Sequence, residues 1–168
     1  MVQQIIHHHN TTGKGAGLLF LDYAHAYDYV SQDYIITVLE TMNFPPALVR
    51  LIALSMRDQT GRVIVNGDLT DSFRVRNGGK QGDPLFPYVY ILALEGLTAQ
   101  LEIMRDQGEY SGITAPDNHT TVSTMGYADD TVIALSSEHD ILPVESALDL
   151  FCRASGHEIK ASKSVLCG

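Results

Sequence analysis

Three short segments of the sequence carry residues whose types and spacing suit chemistry. Asp22 follows the apolar run 17–21, Asp129 and Asp130 are adjacent in a predicted turn, and a glycine-rich loop covers 78–84. Each segment alone is also typical of an ordinary turn, because Asp side chains often bond to their own backbone there. Adjacent carboxylates repel each other, however, and a third carboxylate on a neighbouring strand would complete a site that a divalent cation stabilises. Open oxygen sites of this kind suit Mg²⁺ or Mn²⁺, and two such ions can activate a 3′-hydroxyl and stabilise a leaving pyrophosphate.

A second group of possible metal ligands, His7-His8-His9, does not favour a shared ion. Adjacent side chains on a helix point in different directions, so the three rings would not converge on one position.

The elements that must position these residues are predicted from periodicity and turn signals. Ser31 is the predicted cap of a helix, Asp83 and Pro84 the predicted start of another, and Asn66-Gly67 the predicted turn of a β-hairpin. The predicted strands are 17–21, 61–65, 71–76, 121–123, 131–135 and 164–167, and the predicted helices follow Ser31 and cover 47–57, 84–105 and 144–154. The helix over 47–57 is apolar over most of its circumference and is predicted to be largely buried. The fold class is therefore α+β, an antiparallel sheet with helices packed on one face plus a peripheral β-hairpin.

Length and composition set limits on the class of protein. The chain has 168 residues, 45% hydrophobic and 18% charged, which predicts one folded domain and excludes disordered and low-complexity classes. No apolar run approaches the length of a membrane span, and no secretory signal is visible, so an intracellular protein of the nucleus or cytoplasm, without membrane contact, is expected. Two cysteines are too few for a disulfide framework.

The net charge of −9 is unevenly distributed along the chain. The stretch 50–80 holds six basic and three acidic residues, a net +3, which leaves −12 for the remainder. This pattern is compatible with a surface that binds a phosphate backbone locally, and equally with a solvated surface of mixed charge.

The ordered segments resemble the palm motifs of reverse transcriptases of the LINE-like (non-LTR) retrotransposon type. The sequence from Phe20 to Val30 resembles the first motif, Asn77 to Pro87 the second, Tyr127-Ala128-Asp129-Asp130 the third, and Ser155 to Ser164 the fourth. Four motifs in this order and at these intervals are far more specific than a lone Tyr-x-Asp-Asp tetrapeptide.

The resemblance implies a polymerase palm and assigns roles residue by residue. Asp22 and Asp129 would hold two Mg²⁺ or Mn²⁺ ions, with Asp130 completing the triad at lesser coordination weight and the Tyr23 carbonyl as an extra ligand. Tyr27 would lie beneath the incoming sugar and favour deoxynucleotides, although a core aromatic is the alternative. Gln81 and Gly82 would contact the nucleotide, and Lys163 would donate a proton to the pyrophosphate or neutralise it, a surface lysine being the alternative.

The implied activity is RNA-directed DNA polymerisation, with an RNA template, a DNA primer and dNTPs as partners. Residues 1–16 are expected to be a remnant of the fingers side and 17–168 the palm, with fingers and thumb largely absent. Phe86 departs from the small residue usual in these enzymes. Two alternatives remain open: a truncated, catalytically inactive fragment, and a nucleic-acid-binding or interaction module that uses the stretch 50–80. The sequence gives no indication of the oligomeric state.

Overall fold

The computed structural model describes residues 16–80, 82–115, 119–127 and 130–167. Its helices are α1 (Ala26–Tyr29), α2 (Gln32–Thr41), α3 (Pro46–Met56), α4 (Phe86–Asp106) and α5 (Ile141–Ser155). Its strands are β1 (Gly17–Leu21), β2 (Thr60–Gly61), β3 (Ile64–Val65), β4 (Asp68–Leu69), β5 (Phe73–Arg74), β6 (Ile113–Thr114), β7 (Thr121–Val122), β8 (Thr124–Tyr127), β9 (Asp130–Leu135) and β10 (Val165–Cys167).

The central sheet is antiparallel and has the strand order β10-β1-β9-β8. The register pairs Leu18 with Ala134 and Phe20 with Val132. Because β1 has neighbours on both sides, the apolar run 17–21 forms a central strand, as its composition predicts.

The two faces of the sheet are covered differently. Leu19, Leu21, Ile133 and Leu135 belong to one hydrophobic cluster with residues of α2, α4 and α5. On the other face, Leu18 and Ala134 form a smaller cluster with Ile113, which lies on the β6–β7 hairpin. The helices therefore pack on one face, which confirms the predicted α+β arrangement. Among the described residues, no helix is long and apolar enough to cross a lipid bilayer.

The second and third helices begin where the sequence predicts but bury less than expected. The Ser31 hydroxyl accepts a hydrogen bond from the Tyr34 N–H at 3.3 Å, which caps α2. Helix α3 buries Val49, Ile52 and Met56, whereas Leu51 and Leu54 are 61% and 65% exposed. The prediction that this helix is largely buried is wrong, because α3 packs mainly on α2 and leaves its opposite side uncovered.

The peripheral hairpin forms around Asn66 and Gly67, which both have positive φ, as a two-residue type I′ turn requires. Its ladder is interrupted, with β3 paired to β4 and β2 paired to β5. The residues between Arg62 and Arg74 are all exposed, so the hairpin stands away from the core as predicted.

Two predicted boundaries are wrong. Helix α4 begins at Phe86, and Asp83 is not its cap: the Asp83 carboxylate accepts from the Leu85 N–H at 2.9 Å, in a turn that precedes the helix. In the second hairpin the partner of β9 is 124–127 rather than 121–123. Residues 121–122 pair instead with β6, because the chain changes partner at Ser123.

Candidate catalytic site

Asp22 lies directly after β1, and the chain following α5 holds its backbone. The Asp22 N–H donates to the Ser164 hydroxyl at 3.3 Å, and the Asp22 carbonyl accepts from the Lys160 N–H at 2.9 Å. The carboxylate itself is partly exposed, with 37% of the side chain accessible. The first and fourth motifs therefore meet at Asp22, although more than 120 residues lie between them.

Asp130, the first residue of β9, comes to the same edge of the sheet. Leu21 pairs with Thr131 and Phe20 with Val132, so the alternation of side chains places Asp22 and Asp130 on one face. This is the face that the helices do not cover, and Phe20 is 39% exposed there. The structure thus brings two of the three predicted carboxylates together on an open surface.

The third predicted carboxylate, Asp129, lies outside the described residues, as do Gln81 and the histidines at 7–9. Within the part of the chain that the structure describes, no three His, Cys, Asp or Glu side chains are grouped to hold a metal ion.

Lys163 lies beside the predicted metal ligand. Its Nζ is 3.7 Å from Oδ2 of Asp22, and 64% of its side chain is exposed. Water screens such a pair, so it contributes at most about 1 kcal/mol to stability. Its significance is positional, because it places a cation at the carboxylate.

Tyr23 points away from this face, into the helix-covered core. It is 5% exposed, and burial raises its pKa to about 12, so the phenol stays neutral. Its backbone forms an isolated bridge with Ile159 that uses the carbonyl of Asp22 and the N–H of Ala24. The Tyr23 carbonyl takes no part in this bridge, and its role as a metal ligand stays a prediction.

Tyr27 lies on α1 and is half-buried. Its ring centroid is 4.5 Å from that of Tyr90 and 6.1 Å from that of Phe86. It also lines an open pocket of about 330 Å³. Tyr27 is therefore a core aromatic that also lines a pocket, and its place beneath an incoming sugar stays a prediction. Other residues lining this pocket are His25, Gly79, Lys80, Gly82 and Phe86.

The glycine-rich loop fits against the first motif. The Gly78 N–H donates to the Val30 carbonyl at 2.7 Å, and the Gln32 side chain donates to the Gly78 carbonyl at 3.0 Å. Gly82 has φ +86°, and no described atom lies within 4 Å of the place where its Cβ would be. Glycine at this position is thus explained by its backbone conformation.

The large ring of Phe86 is accommodated by the absence of a side chain at Gly79. Phe86 is 5% exposed, and its ring occupies the space that a Cβ on Gly79 would need. The bulky residue at position 86 therefore packs without strain only while position 79 has no side chain.

His157 is a residue of the site region to which no sequence pattern assigned a role. It is 4% exposed and hydrogen bonds to Tyr90 and Ser155. Desolvation lowers its pKa to about 4. The signal available in the sequence was its position in the fourth motif, but burial follows only from the packing of α4 against α5.

The family of this chain is shown by its match to a sequence model. The sequence model described as "Reverse transcriptase (RNA-dependent DNA polymerase)" matches residues 1–168. The chain belongs to the reverse transcriptase family. Its mixed helix and sheet arrangement is accordingly that of a polymerase palm-like α+β fold.

Relatives of this reverse transcriptase domain occur in non-LTR retrotransposons. It is 26% identical over 164 residues to the transposon TX1 uncharacterized 149 kDa protein of Xenopus laevis, covering 98% of this chain and 12% of that protein. It is 25% identical over 141 residues to the retrovirus-related Pol polyprotein from the type-1 retrotransposable element R2 of Popillia japonica, covering 84% of this chain and 22% of that protein. The chain thus spans less than a quarter of the length of these relatives.

Among solved structures, the reverse transcriptase domain is similar to telomerase from Candida albicans in complex with the TWJ fragment of telomeric RNA. The TM-score is 0.67 at 12% identity, with 99% of this chain and 29% of the telomerase chain covered. At this identity the likeness concerns the fold alone.

Proposed function

We propose that this chain carries out RNA-directed DNA synthesis, joining a dNTP to the 3′-hydroxyl of a DNA primer. The observation that carries the proposal is the placement of Asp22 and Asp130 on one open face of the sheet. Membership of the reverse transcriptase family supports the same reaction class. The family is also the reason to propose divalent metal ions and an RNA template.

Asp22, Asp129 and Asp130, with the Tyr23 carbonyl, would hold two Mg²⁺ or Mn²⁺ ions. The donor set fits by its chemistry, because carboxylates are the hard oxygen ligands that these ions prefer, and the Asp22 carboxylate is partly exposed. When bound, such ions lower the pKa of the primer hydroxyl and neutralise charge on the phosphates. The ammonium of Lys163 compensates the Asp22 charge at 3.7 Å and would turn toward the departing pyrophosphate, to protonate it or to balance its charge.

The pocket beside Tyr27 is proposed to receive the nucleotide. An aromatic ring beneath the sugar leaves no room for a 2′-hydroxyl, and this would favour deoxynucleotides. Gly82, exposed on the rim of this pocket, and Gln81 would contact the nucleotide or its pairing base.

The basic stretch identified in the sequence supports a second role, the holding of a template strand. Arg57, Arg74 and Arg76 line one open polar cleft of about 340 Å³, in which Arg74 also pairs with Asp58 at 2.9 Å. Guanidinium groups suit phosphate oxygens. An RNA template is therefore proposed to run past this cleft, and the related telomerase was solved with an RNA fragment.

Primer extension on an RNA template with dNTPs and Mg²⁺ or Mn²⁺ tests the reaction. We expect Asp129→Ala to abolish incorporation while the protein keeps its fold, since removal of a metal ligand leaves the hydroxyl unactivated. The matched control is Asp106→Ala, which removes an exposed carboxylate at the far end of α4 and should leave incorporation unchanged.

The outcomes separate the proposal from its alternatives. Equal incorporation by the parent and by Asp129→Ala would refute the assigned site. No incorporation by folded parent protein would favour the inactive fragment. In that case, RNA binding that falls steeply with salt would support the nucleic-acid-binding module.

A further inference from the structure

A buried hydrogen-bonded cluster lies behind the proposed nucleotide pocket. In it, the two ring nitrogens of His157 have separate partners. Nδ1 is 2.8 Å from the Ser155 hydroxyl, and Nε2 is 3.1 Å from the Tyr90 hydroxyl. His157, Tyr90 and Ser155 are all buried, so these bonds are shielded from water.

The positions of the protons in this cluster follow from matching each hydrogen-bond donor to an acceptor. The Ser155 hydroxyl donates its one proton to the Phe151 carbonyl at 2.7 Å, so it must accept from Nδ1–H of His157. The imidazole is neutral, because desolvation lowers the pKa of His157 to about 4. A neutral ring with a proton on Nδ1 has a free electron pair on Nε2, and the Tyr90 hydroxyl therefore donates to it.

Tyr90 transmits this constraint to Tyr27. Their ring centroids are 4.5 Å apart with 33° between the planes, the shortest ring separation among the described aromatic pairs. One side of Tyr27 thus rests on a ring that is fully buried and hydrogen bonded at its tip. Tyr27 also lines the pocket, so a tilt of the Tyr90 ring would move the Tyr27 ring and change the shape of the pocket.

The imidazole also contacts the first motif directly, through Tyr23. It stacks on Phe151 at 5.2 Å with 18° between the planes, and its centroid is 5.1 Å from that of Tyr23. Tyr23 is the immediate neighbour of Asp22. One imidazole therefore supports both the residue beside the carboxylate and, through Tyr90, the ring at the pocket.

We propose that His157 is a positioning residue, which fixes the Tyr90 hydroxyl and through it the orientation of Tyr27, and so sets the preference for deoxynucleotides over ribonucleotides. The part that concerns nucleotide preference rests on the proposed function. The part that concerns the Tyr27 ring stands on the packing alone.

Four variants of the full chain separate this role from a general loss of stability. Tyr90→Phe removes one hydroxyl and keeps the ring. His157→Leu removes both ring nitrogens, and His157→Gln restores an acceptor near the position of Nε2. Tyr110→Phe is the matched control, because it removes an equally buried hydroxyl whose partners are the carbonyls of Ser123 and Ala134.

The first measurement is NMR of the protein labelled with ¹³C in its tyrosine rings, with the Tyr27 signals assigned by their loss in Tyr27→Phe. We expect Tyr90→Phe and His157→Leu to shift and broaden these signals, and His157→Gln and Tyr110→Phe to leave them near the parent position. Unchanged Tyr27 signals in folded Tyr90→Phe would overturn the proposal. This variant decides the matter even if His157→Leu does not fold.

The second measurement is the ratio of kcat/KM for a deoxynucleotide to that for the matching ribonucleotide in primer extension. We expect a fall of about threefold to tenfold in Tyr90→Phe and His157→Leu, the change that the loss of one hydrogen bond gives. The ratio should persist in Tyr110→Phe. An unchanged ratio in all variants would overturn the assigned role in nucleotide preference. A parent protein without activity would refute the proposed function instead, and the Tyr27 ring signals would still decide the positioning role.

Discussion

Acid should destabilise this protein through the buried imidazole of His157. Unfolded, His157 titrates near its ordinary pKa of 6.5, whereas in the folded protein burial lowers the pKa to about 4. Between these values the unfolded chain binds more protons than the folded protein does. The contribution of the neutral His157 to stability is therefore fully present above pH 6.5 and is lost as the pH falls toward 4. The difference between the two pKa values corresponds to a loss of about 2 kcal/mol at pH 5 and about 3 kcal/mol at still lower pH.

Urea unfolding followed by circular dichroism at pH 7.5 and pH 5 measures this loss. His157→Gln cannot titrate, so its free energy of unfolding should fall by about 2 kcal/mol less than that of the parent between the two pH values. Other titrating groups are the same in both proteins and cancel in the comparison. Tyr110→Phe serves as the control, because it lowers stability but keeps the imidazole and should show the parent's pH dependence.

Parallel pH dependence in the parent and in His157→Gln would refute the reasoning. It would mean that the folded protein accepts a proton on His157 as readily as the unfolded chain does. The neutral ring, and with it the donor assignment of the Tyr90 hydroxyl, would then be wrong.

Two further predictions concern the loop and the carboxylate. Gly79→Ala should destabilise the fold by about 1–3 kcal/mol, because the new methyl group overlaps the Phe86 ring. In the double variant Gly79→Ala, Phe86→Ser, the loss of stability measured by urea unfolding should be smaller than the sum of the losses in the two single variants. Lys163→Met should tighten Mn²⁺ binding about twofold to fivefold in a titration followed by electron paramagnetic resonance, because a competing cation 3.7 Å from Asp22 is removed; equal or weaker Mn²⁺ binding would show that the lysine does not compete for this carboxylate.

Local signals predicted the parts of the fold that depend on a few neighbouring residues. The Asn66-Gly67 turn and the Ser31 cap both form, because each requires a backbone conformation or hydrogen bond that the residue itself provides. Boundaries that depend on pairing were predicted less well. The partner of β9 was placed too early in the chain, since Thr121 and Val122 suit either ladder and only the sheet selects between them.

Burial was the property that the sequence predicted least well. The exposed leucines of α3 have the same spacing in the sequence as buried leucines would have. They are exposed because α3 packs mainly on α2, and no other described element covers its opposite side. His157 gives the opposite case, because a histidine after a helix-ending glycine is usually exposed, yet here α4 and α5 enclose it. Neither outcome can be read from periodicity, which reports the faces of an element but not what covers them.

The sequence by itself determined which residue types are available for chemistry and at what spacing: the carboxylates at 22, 129 and 130, the tyrosine at 27 and the lysine at 163. The tertiary structure decided which of the described residues meet. The β1–β9 register places Asp22 and Asp130 on one face, the chain after α5 carries Lys163 to Asp22, and the packing of α4 joins Tyr90 to both His157 and Tyr27. The physical reason is that residue type and spacing act locally, whereas proximity between distant segments is fixed by strand register and by the burial of apolar surface.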